Sequence, residues 1–181
     1  MSLKEITKDL HTEAERTLFA KKLITGALSK EEYANYLWQM VLVYNGIEVA
    51  AKSQGMLVNL PGIERAHKIY QDCIELVGPN HQLKWLPETI EYYKYLLDLN
   101  FDSEKRHLIK AHMYCRHMGD LFGGQIIAKR MPGSGKFYQF NNVEELKQKI
   151  REELTDDLGD EARVAFQWAI KLMLVLGGTS E

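Results

Sequence analysis

Cysteine is nearly absent. The 181 residues include only Cys73 and Cys115, with no CxxC pair. That excludes a disulfide-stapled scaffold and makes a reducing compartment the expectation. An excess of one charge is also missing: 23 Lys and Arg stand against 25 Asp and Glu, for a net charge of −2. A general nucleic-acid binder carries a large positive surplus, so nucleic acid is not an expected partner. Long apolar runs are lacking too. Met1-Ser2-Leu3-Lys4-Glu5 has none of the apolar stretch of a signal peptide. The most apolar segment, Val164 to Leu176, is short for a bilayer and is interrupted by Lys171. A cytoplasmic protein without a membrane anchor follows. No Gly-rich phosphate loop, nucleophile elbow, zinc-ligand spacing, internal repeat or domain linker is found, and strand alternation is scarce.

Helical spacing is what remains. Hydrophobic residues make up 45% and charged residues 27%, which suits a globular chain with its own core. Leu3, Ile6, Leu10 and Ala14 recur at the helical period, with Gly26 after the end of that segment. Ser29 and Glu32 form a capping box that opens a helix to about Gln54. Pro61 suits the first turn of a third helix, closed by Gly78-Pro79-Asn80, and Pro87 opens a Tyr-rich helix through Leu99. Ser103 can cap a long helix through about Arg130, followed by the loop Pro132-Gly133-Ser134-Gly135. Asn142 and Glu145 start another helix; Gly159-Asp160 separates it from the last, which stops at Gly177-Gly178. The expected fold is all-α: about seven helices in a single-domain bundle over residues 1–181.

Lys4, Lys8, His11 and Glu15 fall within roughly 60° of one another on a helix wall. Two ammonium groups, an imidazole and a carboxylate thus share a stripe beside Leu3, Ile6 and Leu10. Haem needs such a set: an imidazole nitrogen for iron, cations for two propionates, a carboxylate for the other ring nitrogen, and apolar cover for the ring. A solvated helix face has the same composition.

The second cluster is Gly119-Asp120-Leu121-Phe122-Gly123-Gly124. Each glycine costs about 1 kcal/mol relative to Ala in a helix interior, so something should require three of them. Gly119 and Gly123, four apart, bare one side of the backbone to a flat partner or to another helix, and they permit a kink. Asp120 sits beside that bare backbone, with Tyr114, Arg116 and His117 within two turns. Such a polar network suits ordered water and proton delivery.

Two segments together resemble the haem oxygenase family of the eukaryotic and cyanobacterial type. One runs from Leu3 through His11 to Glu15. The other is Ala111-His112-Met113-Tyr114-Cys115-Arg116-His117-Met118-Gly119-Asp120-Leu121-Phe122-Gly123-Gly124-Gln125. Leu146 to Arg151 and Val164-Ala165-Phe166 resemble the family's last two core helices, while Ser53 to Phe101 matches more loosely. The resemblance implies haem sandwiched between a proximal and a kinked distal helix. Haem would be both substrate and cofactor, with O2 as co-substrate. The products would be biliverdin, CO and ferrous iron, and electrons would come from a ferredoxin or a flavoprotein reductase. It also implies roles. His11 would be the axial ligand to haem iron, with Glu15 near it. Lys4, Lys8, Lys147 and Arg151 would meet the propionates, and Phe166 would be a pocket wall. Gly119 and Gly123 would form the distal ceiling. Asp120 would organise distal water, with Tyr114 and Arg116 in support.

Three features depart from the family pattern. Phe122 stands where a small residue is common; its bulk would narrow the distal side or face the core. The C-terminal part is short beside many members, and no hydrophobic anchor is expected. Cys115 is unusual in the distal motif and reads as a buried helix residue. Two rivals remain open on sequence. Glu64-x-x-His67 and Glu104-x-x-His107 have the spacing of a di-iron bundle. A non-catalytic haem-binding or sensor protein would keep much of the same motif. His67, His81, His107, His112 and His117 read as surface or core residues.

Overall fold

The computed structural model describes residues 2–178; Met1 and 179–181, the extremes of the expected 1–181 domain, lie outside it. Every regular element among the described residues is helical, in eleven α-helical segments with short 3-10 and π turns between them. The excess over seven comes mainly from two expected helices that are broken.

The first expected helix is three: α1 (Leu3–Ile6), α2 (Lys8–Arg16) and α3 (Leu18–Thr25). Threonines stand at both breaks. The Thr7 hydroxyl donates to Leu3 O at 2.8 Å, and the Thr17 hydroxyl donates to Ala14 O at 2.8 Å and accepts from Ala20 N at 3.2 Å. A hydroxyl that bonds the local backbone competes with the helical ladder. Arg163 then ties α2 down, with Nη1 on Ile6 O at 2.8 Å and a two-pronged pair to Asp9 at 2.7 and 2.8 Å. Those bonds hold the Asp9 carboxyl at about 2.

Helix α4 (Lys30–Ser53) begins at the expected Ser29/Glu32 capping box and forms the centre of the core. It packs chiefly against α5 (Ala66–Val77) and α6 (Pro87–Phe101). Helix α5 does not start at Pro61. Gly62 takes a left-handed turn at φ 78°, and the helix waits until its first amides reach a buried carboxylate on α4. Glu48 Oε1 accepts from Arg65 N at 2.5 Å, and Oε2 accepts from Ala66 N at 3.1 Å. The cap comes from another helix, which local sequence does not display.

The long helix expected from Ser103 is also interrupted. Asp102, not Ser103, receives the first amides: its Oδ1 accepts from Glu104 N at 2.9 Å and from Lys105 N at 3.3 Å. A 3-10 turn (Arg106–Leu108) leads to α7 (Ile109–Met113), a π turn (Tyr114–Met118), α8 (Gly119–Phe122) and α9 (Gly124–Ala128). The π turn widens the helix by one residue immediately before the glycines. A 3-10 turn (Lys136–Tyr138), α10 (Val143–Glu152) and another 3-10 turn (Asp156–Leu158) precede α11 (Gly159–Leu176). Gly159 opens α11 instead of separating it from its neighbour, and a Cβ there would meet Ile6 Cδ1 at 3.0 Å, so a small residue suits the position. Helix α11 lies across α2, α3 and α7. Among the described residues no helix is long and apolar enough to cross a membrane.

Candidate active site

Between α2, α11 and the π turn–α8 segment lies a cavity of about 1130 Å³. Lys4, Lys8, His11 and Glu15 line it from the α1–α2 side. The His11 side chain is 58% exposed, its Nδ1 is 3.7 Å from Glu15 Oε1, and its ring meets Phe166 edge-on at 5.8 Å. The Glu15 carboxylate thus lies near Nδ1, on one side of the ring, and beyond hydrogen-bond distance of it. Phe166, on α11, is a cavity wall.

Gly119 and Gly123 line the same cavity. A Cβ on Gly119 would meet nothing within 4 Å, and on Gly123 only Gly119 O at 3.5 Å. Among the described residues no contact requires either glycine, so their bareness serves the cavity. Gly124 is different: a Cβ there would lie 2.3 Å from Tyr138 Cδ1. One glycine of the three packs a core ring, and two keep a surface clear.

Behind that surface is a buried polar group. Tyr44 OH donates to Asp120 Oδ2 at 2.5 Å. Burial pushes the Asp120 carboxyl up to about 7, against the pull of His117, Tyr44, Arg116 and Arg65. Burial likewise lifts Tyr36 to about 12 and raises Tyr44 and Tyr138, so these phenols are neutral donors. Arg116 is 8% exposed and lines the cavity; its Nη1 is 3.8 Å from Met40 Sδ, while Nε and Nη2 have no partner among the described residues. Both atoms are buried, so these unmet donors lie behind the cavity wall and add local positive charge beside Asp120.

The structure thus gathers most of the expected set in one cavity: His11, Lys4, Lys8, Glu15, Tyr114, Arg116, Gly119, Asp120, Gly123, Arg151 and Phe166. Two placements differ from expectation. Lys147 is not among the lining residues; its Nζ is 2.8 Å from Glu144 Oε1 and 4.1 Å above the Phe122 ring. Tyr114 packs with Leu3, Leu10 and Phe166 on the α2–α11 side, with no hydrogen bond to Asp120. Phe122 does not face the core: it is 53% exposed and lines the cavity. Cys115 is half-buried and lines the cavity as well, with burial lifting its thiol to about 11.

Sequence reasoning passed over Tyr44, the direct partner of Asp120. The local pattern shows only that Tyr33, Tyr36, Met40 and Tyr44 share an α4 stripe that packs the core; the partner of Tyr44 lies 76 residues away. His112 and His117 are core residues, as read, but each is tied to a carboxylate. His117 Nε2 is 3.0 Å from Glu48 Oε1, and His112 bridges Tyr92 OH (2.7 Å) and Glu161 Oε1 (2.8 Å). Burial keeps His112 below its usual value, hence neutral. Glu161 is pushed up by burial but lowered overall by bonds from His112 and Tyr95. An ionised Glu161 only accepts, so His112 Nε2 carries the proton and Nδ1 accepts from Tyr92.

The di-iron reading is overturned. Glu64 and His67 are exposed, the former against Lys52 at 3.3 Å and the latter against Gln71 at 3.0 Å, while His107 meets Asp157 at 3.5 Å. Among the described residues no group of three or more His, Cys, Asp or Glu could hold a metal ion.

A helical bundle with an exposed imidazole on one cavity wall and a bare backbone on the same cavity defines a class built to hold a flat ligand. The heme oxygenase family model matches residues 1–174. The chain is 29% identical to heme oxygenase 1 of Bos taurus, an alignment covering 98% of this chain and 71% of that protein. It is 28% identical to heme oxygenase 1 of the cyanobacterium Nostoc sp., covering 95% and 83%. Its fold is similar to the crystal structure of heme oxygenase-1 from the cyanobacterium Synechocystis sp. PCC6803 in complex with heme. There the TM-score is 0.86 and the identity 24%, over 97% of this chain and 90% of that one. Heme oxygenase from Leptospira interrogans gives 0.82 at 24% identity, over 96% and 98%. The chain belongs to the heme oxygenase family.

Proposed function

We propose that the cavity binds haem as substrate and that the chain opens its ring oxidatively to biliverdin, releasing CO and ferrous iron. The observation that carries this reading is the pair of glycines whose missing side chains no contact among the described residues explains, on a cavity that also holds an exposed imidazole. When bound, haem supplies the iron at which O2 is reduced by external electrons.

The residues divide the remaining work. His11 would hold the haem iron through its imidazole, and Glu15, 3.7 Å from Nδ1, would close on that nitrogen to orient the ring. Phe166 meets the His11 ring and limits its rotation. Lys4, Lys8 and Arg151 line the cavity and, among the described residues, form no ion pair; they suit the two propionates. Lys147, already paired with Glu144, stands behind them. Gly119 and Gly123 let the helix backbone lie close over the ring. Asp120 holds the proton supply. Tyr44 occupies Oδ2, so Oδ1 is the atom that takes up and releases a proton, and a carboxyl near 7 exchanges it readily at neutral pH. The Arg116 guanidinium beside Asp120 favours its ionised form and so helps it give up the proton. Tyr114 supports the wall through α2–α11 packing.

The electron donor in this proposal is a ferredoxin or a flavoprotein reductase, which the cations at the haem edge suit. A cytoplasmic setting belongs to the same proposal, supported by the free thiols of Cys73 and Cys115. Incubating the hemin complex with ascorbate in air tests catalysis. The expected result is loss of the Soret band with growth of a biliverdin spectrum; a Soret band that persists would instead make the chain a haem-binding or sensor protein.

A further inference from the structure

Phe122 lines the cavity with a ring that is half exposed, and two cations lie over it. Lys147 Nζ is 4.1 Å from the ring centroid and the Arg151 guanidinium 5.6 Å. A cation over an aromatic face is held electrostatically, more firmly as water is excluded. Lys147 is well covered, at 12% side-chain exposure, and its charge is met by Glu144 at 2.8 Å. Arg151 differs: it lines the cavity and forms no ion pair among the described residues.

The ring therefore sorts two basic side chains one helical turn apart on α10. It parks Lys147 against Glu144, outside the cavity wall, and leaves the Arg151 guanidinium at the mouth. We propose that Phe122 is a positioning residue for orientation of the substrate. By holding Lys147 away it gives the carboxylates of the macrocycle one cationic set, Arg151 with Lys4 and Lys8, and so fixes the in-plane rotation that decides which meso edge is cut. Without the ring, Lys147 swings free of its π contact and competes with Arg151 for a propionate, and a second rotational state becomes populated. This inference rests on the haem-cleaving reading of the same cavity.

The test compares wild type with Phe122→Leu, Phe122→Tyr, Lys147→Ala and the double variant Phe122→Leu/Lys147→Ala, each loaded with hemin. Haem methyl resonances of the ferric cyanide complex report rotational states, and chromatography of the biliverdin reports regioisomers. Wild type, Phe122→Tyr and Lys147→Ala should each show one dominant state and one isomer. Phe122→Leu should raise the minor isomer at least fivefold, and removing Lys147 from that background should restore the single isomer. A Phe122→Leu protein that keeps the wild-type isomer ratio overturns the inference, as does failure of the double variant to restore it. A wild-type protein that makes no biliverdin refutes the functional reading itself, a result distinct from both.

Discussion

A carboxyl held near neutrality has consequences for stability as well as for proton transfer. Asp120 titrates at about 7 in the folded chain, against 3.8 for an unhindered carboxyl. Between those values the folded chain keeps a proton that the unfolded chain has released. Stability of the haem-free protein therefore falls as pH rises from about 4 to about 7. Asp120→Asn keeps an acceptor for Tyr44 and removes the charge. Thermal unfolding at pH 8 should show it more stable than wild type by on the order of 2 kcal/mol, with the difference gone at pH 4. Biliverdin yield should fall while hemin still binds; a yield at the wild-type level would remove Asp120 from proton delivery. His11 is the complementary case. His11→Ala should lose turnover and regain it with added imidazole, as measured by biliverdin formation; full turnover without imidazole would reassign the axial ligand. The roles of His11 and Asp120 were proposed from the sequence by resemblance. Arg116's unmet donors and the Tyr44–Asp120 bond were not legible there, since they arise where α4 packs against the π turn and α8, far apart in the chain.

At the scale of elements, the glycine cluster separates packing from function. Gly124 accommodates the Tyr138 ring, whereas Gly119 touches nothing. Gly124→Ala should destabilise the fold by about 1–3 kcal/mol through overpacking. Gly119→Ala should leave it unchanged or raise stability by up to about 1 kcal/mol through helix propensity, while weakening hemin uptake. Urea unfolding of the two variants, beside a hemin titration, reads this contrast; equal destabilisation of both would mean that Gly119 is structural after all. Sequence periodicity placed most helices, because an amphipathic stripe and a Ser29/Glu32 box are local signals. It missed the breaks at Thr7 and Thr17, where a hydroxyl competes with the ladder. It also missed the π turn, which has no local composition of its own. It started α5 too early because the cap on Arg65 and Ala66 is Glu48, a residue of another helix.

Glu48 also shows how the molecule is joined as a whole. One buried carboxylate takes the first amides of α5 and sits 3.0 Å from His117 Nε2 in the π turn. It links the central helix, its neighbour and the segment that carries the distal wall. Glu48→Ala leaves a buried and a half-buried amide and a buried imidazole without their partner and should cost about 3 kcal/mol or more, seen as a drop in urea midpoint. A change under about 0.5 kcal/mol would mean that the junction is held by apolar packing alone.

The central claim is that one cavity, walled by the His11 helix and the Gly119–Gly123 backbone, takes up a single haem. Hemin titration followed at the Soret maximum, on wild type beside Gly119→Leu/Gly123→Leu, tests it most directly. Wild type should saturate at one equivalent with a sharp break, and the double variant should remain folded yet take up no hemin stoichiometrically. Equal, stoichiometric uptake by both proteins, or no saturable uptake by wild type, would contradict the account.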